Sequence, residues 1–113
     1  MPQAYGGLGA SYETLAQVFA ILCAADPSLG QIPQNHFYAL EVLRVGGSDE
    51  QKRFFYSRVL AGERLGNALA EITHRDFQRR TRLVPDGNSG FHLHGEKFYC
   101  TGALFAHWIP TLA

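Results

Sequence analysis

At Gly62 the spacing of apolar residues changes from helical to alternating, so helices must come first in this fold and strands after them. Ahead of that point, Ser11 is placed to cap a helix carrying Tyr12, Leu15, Val18, Phe19 and Leu22. Asp26-Pro27 ends it, because the residue before a proline avoids the α region. Ser28 is placed to cap a second helix with Ile32, His36, Ala39, Leu40 and Leu43 on one side. Pro33 lies early in it, in the first turn or at a kink. Gly46-Gly47 stops this helix, and Ser48-Asp49-Glu50-Gln51 opens a third as a capping box. Phe54, Phe55, Val59 and Leu60 form the third helix's apolar side.

Beyond Gly62, Asn67 to Ile72 is a short strand candidate, and His74 to Arg80 is a charged loop. Thr81 to Val84 and Phe91 to His94 pair as a hairpin through Pro85-Asp86-Gly87-Asn88-Ser89-Gly90. A strand follows Gly95, and Trp108 to Leu112 begins another. The order is α+β: helices, then antiparallel strands, with no βαβ alternation. The spacing predicts a helical part over residues 1–62 and a β part over 63–113, both incomplete. The glycine-rich opening and a strand at the C-terminal end make the chain read as a fragment of a longer protein.

A chain of 113 residues with 46% hydrophobic content supports one modest core and argues against disorder. The formal net charge of zero gives no basic footprint for nucleic acid. No apolar run approaches the roughly 18 residues of a membrane span, and Met1-Pro2-Gln3 does not read as a leader. Cys23 and Cys100 lie in separate apolar runs, as small buried hydrophobes of a reducing compartment. A soluble cytoplasmic protein is expected.

The stretch His94 to Ala103 reads as a turn at Gly95, whose backbone tolerates conformations that a Cβ resists, followed by a strand. On a strand Lys97, Tyr99 and Thr101 share one face, and Phe98 and Cys100 the other. A ring followed by a hydroxyl suits the face and edge of a flat heteroaromatic cofactor, although plain sheet has the same pattern. His92 and His94 share a strand face at metal-ligand spacing. No third ligand is near, a solvent-facing hairpin explains both, and no metal is expected. His36 lies mid-helix on the core side, either as a satisfied core residue or as a general acid or base. Asn67 opens a strand after a glycine, and either bonds its own loop or donates to a developing negative charge. Arg79 and Arg80, with Arg75 and Arg82, are a solvated loop or a phosphate contact.

Seven short motifs stand in an order that resembles the acyl-CoA dehydrogenase superfamily. They are Pro2-x-x-Tyr5-Gly6-Gly7-Leu8-Gly9, Asp26-Pro27-Ser28-Leu29-Gly30, Gly47-Ser48-Asp49-Glu50-Gln51-Lys52, Leu60-Ala61-Gly62-Glu63, Asn67-Ala68-Leu69-Ala70-Glu71, Gly95 to Ala103, and Ala106-His107-Trp108. The resemblance implies a helical N-terminal domain and the start of a central β-domain, with the segments Asn67 to Glu71 and Tyr99 to Thr101 lining a flavin. Asn67, Leu69, Ala70, Tyr99, Cys100 and Thr101 are the cofactor-lining positions it implies. The family's dehydrogenases carry Thr-Glu-Pro, glycines and Ser-Asp after the first strand, where this chain has Ala70-Glu71-Ile72-Thr73-His74-Arg75-Asp76. The pattern is more similar to flavin-dependent monooxygenases of the same fold, the dibenzothiophene monooxygenases and sulfur-acquisition oxidoreductases. That resemblance implies oxygenation of an organosulfur compound by reduced flavin, FMN ahead of FAD, supplied by a separate flavin reductase. It gives His36, Asn67 and Thr101 the catalytic positions and makes the full-length protein a homo-oligomer. The dehydrogenase alternative implies FAD and an acyl-CoA substrate, and a third reading is a non-catalytic fragment of either.

Overall fold

The computed structural model describes residues 1–72 and 78–113. Three helices, Tyr12–Ala25 (α1), Pro27–Gly46 (α2) and Asp49–Leu60 (α3), precede an antiparallel two-stranded sheet of Arg82–Pro85 (β1) and Phe91–His94 (β2). The α+β order read from the sequence is therefore the observed one. Short 3-10 turns occupy Gln3–Tyr5 and Ala103–Phe105.

Ser11 caps α1 through its Oγ, which accepts from the Thr14 amide at 3.2 Å. At the next boundary the cap is Asp26 and not Ser28. Asp26 Oδ1 accepts from the amides of Ser28 at 2.8 Å and Leu29 at 3.1 Å. The shift by two residues has a simple cause. Pro27 has no N–H to satisfy and fits the first helical position, and a carboxylate just ahead of it meets the positive end of the helix. Pro33 lies well inside α2, not in its first turn. α1 and α2 meet closely at Gly30, where a Cβ would stand 2.4 Å from Cys23 Sγ. Both cysteines are free thiols and half-buried, less enclosed than their apolar neighbours in sequence imply.

The capping box of α3 is complete: Ser48 Oγ accepts from the Gln51 amide at 3.2 Å, and Gln51 Oε1 accepts from the Ser48 amide at 2.9 Å. α3 buries Tyr56, only 1% exposed, whose ring lies 5.1 Å from that of Tyr5. Its hydroxyl is enclosed without a hydrogen-bond partner among the described residues. A buried donor that makes no bond stabilises nothing, whereas the ring fills space. Tyr56→Phe is therefore expected to change stability by less than about 1 kcal/mol, and in the favourable direction. Tyr56→Ala should cost about 3–5 kcal/mol by opening a cavity. Urea unfolding midpoints of the two variants check this.

β1 and β2 pair in the register Arg82 to His94, Leu83 to Leu93, Val84 to His92 and Pro85 to Phe91. Asp86 Oδ1 closes the connecting loop by accepting from the amides of Asn88 and Gly90 at 2.8 and 2.9 Å. Both strands are exposed along their whole length.

The other strands expected from the sequence are only partly formed. Residues 65–70 and 108–112 run parallel, with bridges at Leu65–Trp108 and Ala68–Thr111, and Ala70 pairs antiparallel with Phe98. The amides of Gly66 and Ala68 donate to the carbonyls of Trp108 and Pro110, both at 2.9 Å. These contacts are single bridges, and the 108–112 segment is parallel to its neighbour where an antiparallel strand was expected. Its anchor is Trp108, packed edge-on against Phe54 and Phe55 of α3 at 5.5 and 5.3 Å. The indole N–H donates to Glu63 at 2.6 Å.

The stretch after Gly95 is also not a regular strand. Gly95 has φ +144°, and a Cβ there would lie 2.6 Å from Thr81 Cα. Tyr99 is left-handed at φ +53°, and the Thr101 amide turns back to the Tyr99 carbonyl at 2.8 Å. The alternation that would put Lys97, Tyr99 and Thr101 on one face is broken at Tyr99. The turn is held from outside: the Phe98 amide bonds the Ala70 carbonyl at 2.9 Å, and Lys97 pairs with Glu71 at 2.7 Å, both side chains only 7% exposed.

Candidate functional site

The segments 65–71 and 97–102 lie side by side, and α2 fastens them together. Asn35, at 8% exposure one of the few buried polar side chains, donates through Nδ2 to the carbonyls of Gln31 and Thr101, each at 3.2 Å. Its Oδ1 accepts from Asn67 Nδ2. One residue on, His36 Nδ1 accepts from the Leu65 amide at 3.1 Å. His36, Asn67 and Thr101 are thus gathered at one junction, with Asn35 between the last two. Asn35 itself was missing from the sequence-based candidates. Its signal was present: with Ile32, His36 and Ala39 it completes an i, i+3, i+4, i+7 stripe, and an asparagine on such a stripe needs a partner.

His36 borders a hollow of about 170 Å³ whose wall includes Pro33, Arg64, Gly102 and Phe105. Burial, with a contribution from the Arg64 charge, holds its pKa below the ordinary imidazole value. With Nδ1 accepting, the neutral ring carries its proton on Nε2. Because the folded-state pKa is lowered, the unfolded chain protonates first, and stability falls as pH drops below about 6.5. In His36→Asn an amide oxygen replaces Nδ1 as acceptor and nothing titrates. Between about pH 7.5 and about pH 5.5 the wild-type melting temperature should fall more than that of the variant. Parallel curves would show that His36 is not held neutral by the fold.

Tyr99 is 79% exposed and its ring contacts no other ring among the described residues. The Thr101 hydroxyl makes no hydrogen bond among them. Cys100 is half-buried, its thiol 3.7 Å from the Phe98 carbonyl. Ala70 is exposed, and Leu69 lines a separate apolar groove of about 480 Å³ between α2, α3 and residues 108–112. Tyr99 and Thr101 thus do not share a regular strand face, although the Tyr99 ring is uncovered and the Thr101 hydroxyl is without a partner among the described residues.

Among the described residues, His92, His94, Arg79 and Arg82 stand apart from this junction. The rings of His92 and His94 are 6.0 Å apart on the exposed β2, and no group of three metal-ligating side chains occurs among the described residues. Arg79, Arg80 and Arg82 are exposed, while Arg75, with residues 74–77 of the expected His74 to Arg80 loop, lies outside the described residues. No helix among the described residues is long and apolar enough to cross a membrane.

Residues 1–63 match the family described as acyl-CoA dehydrogenase, N-terminal domain. The chain belongs to the acyl-CoA dehydrogenase family. It is 32% identical over 104 residues to a dibenzothiophene monooxygenase of Rhodococcus erythropolis, covering 91% of this chain and 25% of that protein. It is 30% identical over 116 residues to a (2S)-methylsuccinyl-CoA dehydrogenase of Cereibacter sphaeroides, covering 100% of this chain and 21% of the relative. A 3-methylmercaptopropionyl-CoA dehydrogenase of Ruegeria pomeroyi is 29% identical over 103 residues, with coverages of 88% and 18%. The chain spans about a quarter of the length of the curated relatives it matches, or less. No solved structure matches it. For this member of the acyl-CoA dehydrogenase family, the site described above joins the helical segment matched by the family to the β segment that follows it.

Proposed function

We propose that the protein to which this chain belongs is a flavin-dependent monooxygenase acting on an organosulfur compound. Residues 1–62 would be part of its helical domain, and residues 63–113 the start of its β-domain. The observation that carries this reading is the junction of Asn35, Asn67 and Thr101, flanked by the uncovered ring of Tyr99 and the unpartnered hydroxyl of Thr101. The similarity to a protein named dibenzothiophene monooxygenase supports the substrate class.

In this reading Tyr99 would supply a ring to hold the flavin, with Ala70 and Cys100 beside it, while Leu69 serves the separate groove. Asn67 and the Thr101 hydroxyl hydrogen-bond its polar edge. His36 is a neutral imidazole with its proton on Nε2, so it would offer that N–H as a hydrogen-bond donor to a developing negative charge. A bound reduced flavin, FMN ahead of FAD, supplies the electrons that activate dioxygen. A separate flavin reductase delivers it, and the full-length protein assembles as a homo-oligomer.

A second reading, an FAD-dependent acyl-CoA dehydrogenase, is favoured by the 30% identity to a CoA-thioester dehydrogenase over the whole chain. Two assays on the full-length protein separate the readings. With reduced FMN, dioxygen and dibenzothiophene, the monooxygenase forms the sulfoxide or sulfone. Under anaerobic conditions with an acyl-CoA, a dehydrogenase bleaches its flavin. Bleaching without sulfur oxidation would overturn the proposal.

A further inference from the structure

His36 and Arg64 both line the hollow of about 170 Å³, and each carries a donor that no described residue takes up. The Leu65 amide occupies His36 Nδ1, so the imidazole N–H is left on Nε2. Arg64 is fixed by its neighbours. Its amide donates to His107 Nδ1 at 3.1 Å, and its carbonyl accepts from the amides of His107 and Trp108 at 2.9 and 3.2 Å. Its Nε donates to the Phe105 carbonyl at 3.0 Å, which holds the side chain against the hollow's own wall. The terminal guanidinium nitrogens make no hydrogen bond or ion pair among the described residues. Arg64 is exposed, so a solute can reach them. Its charge also reaches the imidazole, where it adds to burial in disfavouring the protonated ring. Ile32, Pro33, Leu65 and Phe105 give the hollow its apolar surface.

We propose that this hollow binds a short organic oxyacid anion, with its oxygens on the Arg64 guanidinium and the His36 Nε2–H and its aliphatic part against Ile32, Pro33 and Phe105. A planar guanidinium matches the paired oxygens of a carboxylate or sulfonate, and charge-assisted bonds of this kind are the strong ones. The negative charge answers a cation that has no carboxylate partner among the described residues, and it relieves the pressure of that cation on His36. The volume sets the size of the ligand. Pockets for drug-sized molecules span about 300–1,000 Å³, so a hollow of about 170 Å³ suits a body of a few carbons. The site lies apart from the Tyr99 ring, and its binding of an anion does not depend on the flavin reading.

The test is calorimetric titration of the full-length protein, at low chloride, with butyrate and propane-1-sulfonate, and with butyramide as the neutral match for butyrate. Wild type should bind both anions, and butyramide about tenfold more weakly or less well still. Arg64→Met should weaken both anions about tenfold or more, the worth of a charge-assisted hydrogen bond, and leave butyramide unchanged. Arg64→Lys keeps the charge without the fork and should recover part of the loss. If Arg64→Met does not fold, Arg64→Lys and the wild-type comparison of butyrate with butyramide decide. A wild type that binds neither anion, or binds butyrate and butyramide equally, overturns the site, as does unchanged anion affinity in Arg64→Met. A protein that binds the anions but oxidises no sulfur overturns the oxygenase reading and leaves this site standing.

Discussion

Gly95→Ala is expected to destabilise the protein by roughly 3 kcal/mol, the sum of a strained backbone and an overpacked contact. Gly95 sits at φ +144°, outside what an L side chain adopts readily, so any Cβ is strained before it meets a neighbour. It also meets one at once. The added carbon would stand 2.6 Å from both Thr81 Cα and Thr81 Oγ1, and a main-chain atom cannot swing aside. Thr81 is itself buried and donates its amide to Glu71 at 3.1 Å, so relieving the clash disturbs the Glu71–Lys97 pair as well. The urea unfolding midpoint checks the size of the effect. Gly87→Ala is the control, because it is also left-handed, at φ +82°, but has open space around the site of its Cβ. If the two cost the same, the close approach of Gly95 to Thr81 does not exist.

Lys97→Met is expected to produce a large loss with a distinctive pH dependence. Glu71 accepts from Lys97 at 2.7 Å, from the Arg80 amide at 2.7 Å and from the Thr81 amide at 3.1 Å. The Lys97 hydrogen bond leads these interactions in holding the Glu71 carboxyl well below the usual carboxylate range. A carboxylate with a depressed folded-state pKa adds stability above its unfolded pKa of about 4.3, and this is lost as pH falls toward the folded value. Removing Lys97 leaves an enclosed carboxylate without its cation, which costs more than the pair itself is worth. The deficit of the variant against wild type should therefore be large near neutrality and shrink toward about pH 4. The double variant Glu71→Gln/Lys97→Met should recover part of the loss, because no unpaired charge remains. A deficit that is constant with pH, or a double variant worse than either single one, would contradict this account of the pair.

The helical half of the fold was legible because its signals are local. Ser11 and the Ser48–Gln51 box bond amides within three residues, so residue type and spacing suffice. The boundary at Pro27 was ambiguous because Asp26 and Ser28 both cap, and the choice of Asp26 depended on the proline between them. The hairpin was legible for the same local reason, its loop being closed by Asp86 on Asn88 and Gly90. What the sequence did not reveal depends on contacts between distant residues. Leu65 meets Trp108, and Ala70 meets Phe98, after long excursions of chain. Tyr99 belongs to a residue type that favours strands, yet it turns left-handed because Lys97, Phe98 and Thr101 are each fixed to other segments. At the site, His36, Asn67 and Thr101 were visible as chemistry-bearing side chains. Asn35 was not, because its importance comes from two carbonyls and an amide that only the folded chain brings within reach.

Titration of FMN against the full-length protein, wild type and Tyr99→Ala, tests the central claim most directly. The account predicts saturable binding by the wild type, quenched flavin fluorescence as the Tyr99 ring stacks on it, and affinity weakened about tenfold or more in the variant, the worth of a ring–ring contact plus the buried face. Equal affinity and equal quenching in the two proteins would contradict it, because the ring left uncovered at this junction would then have no part in holding the cofactor.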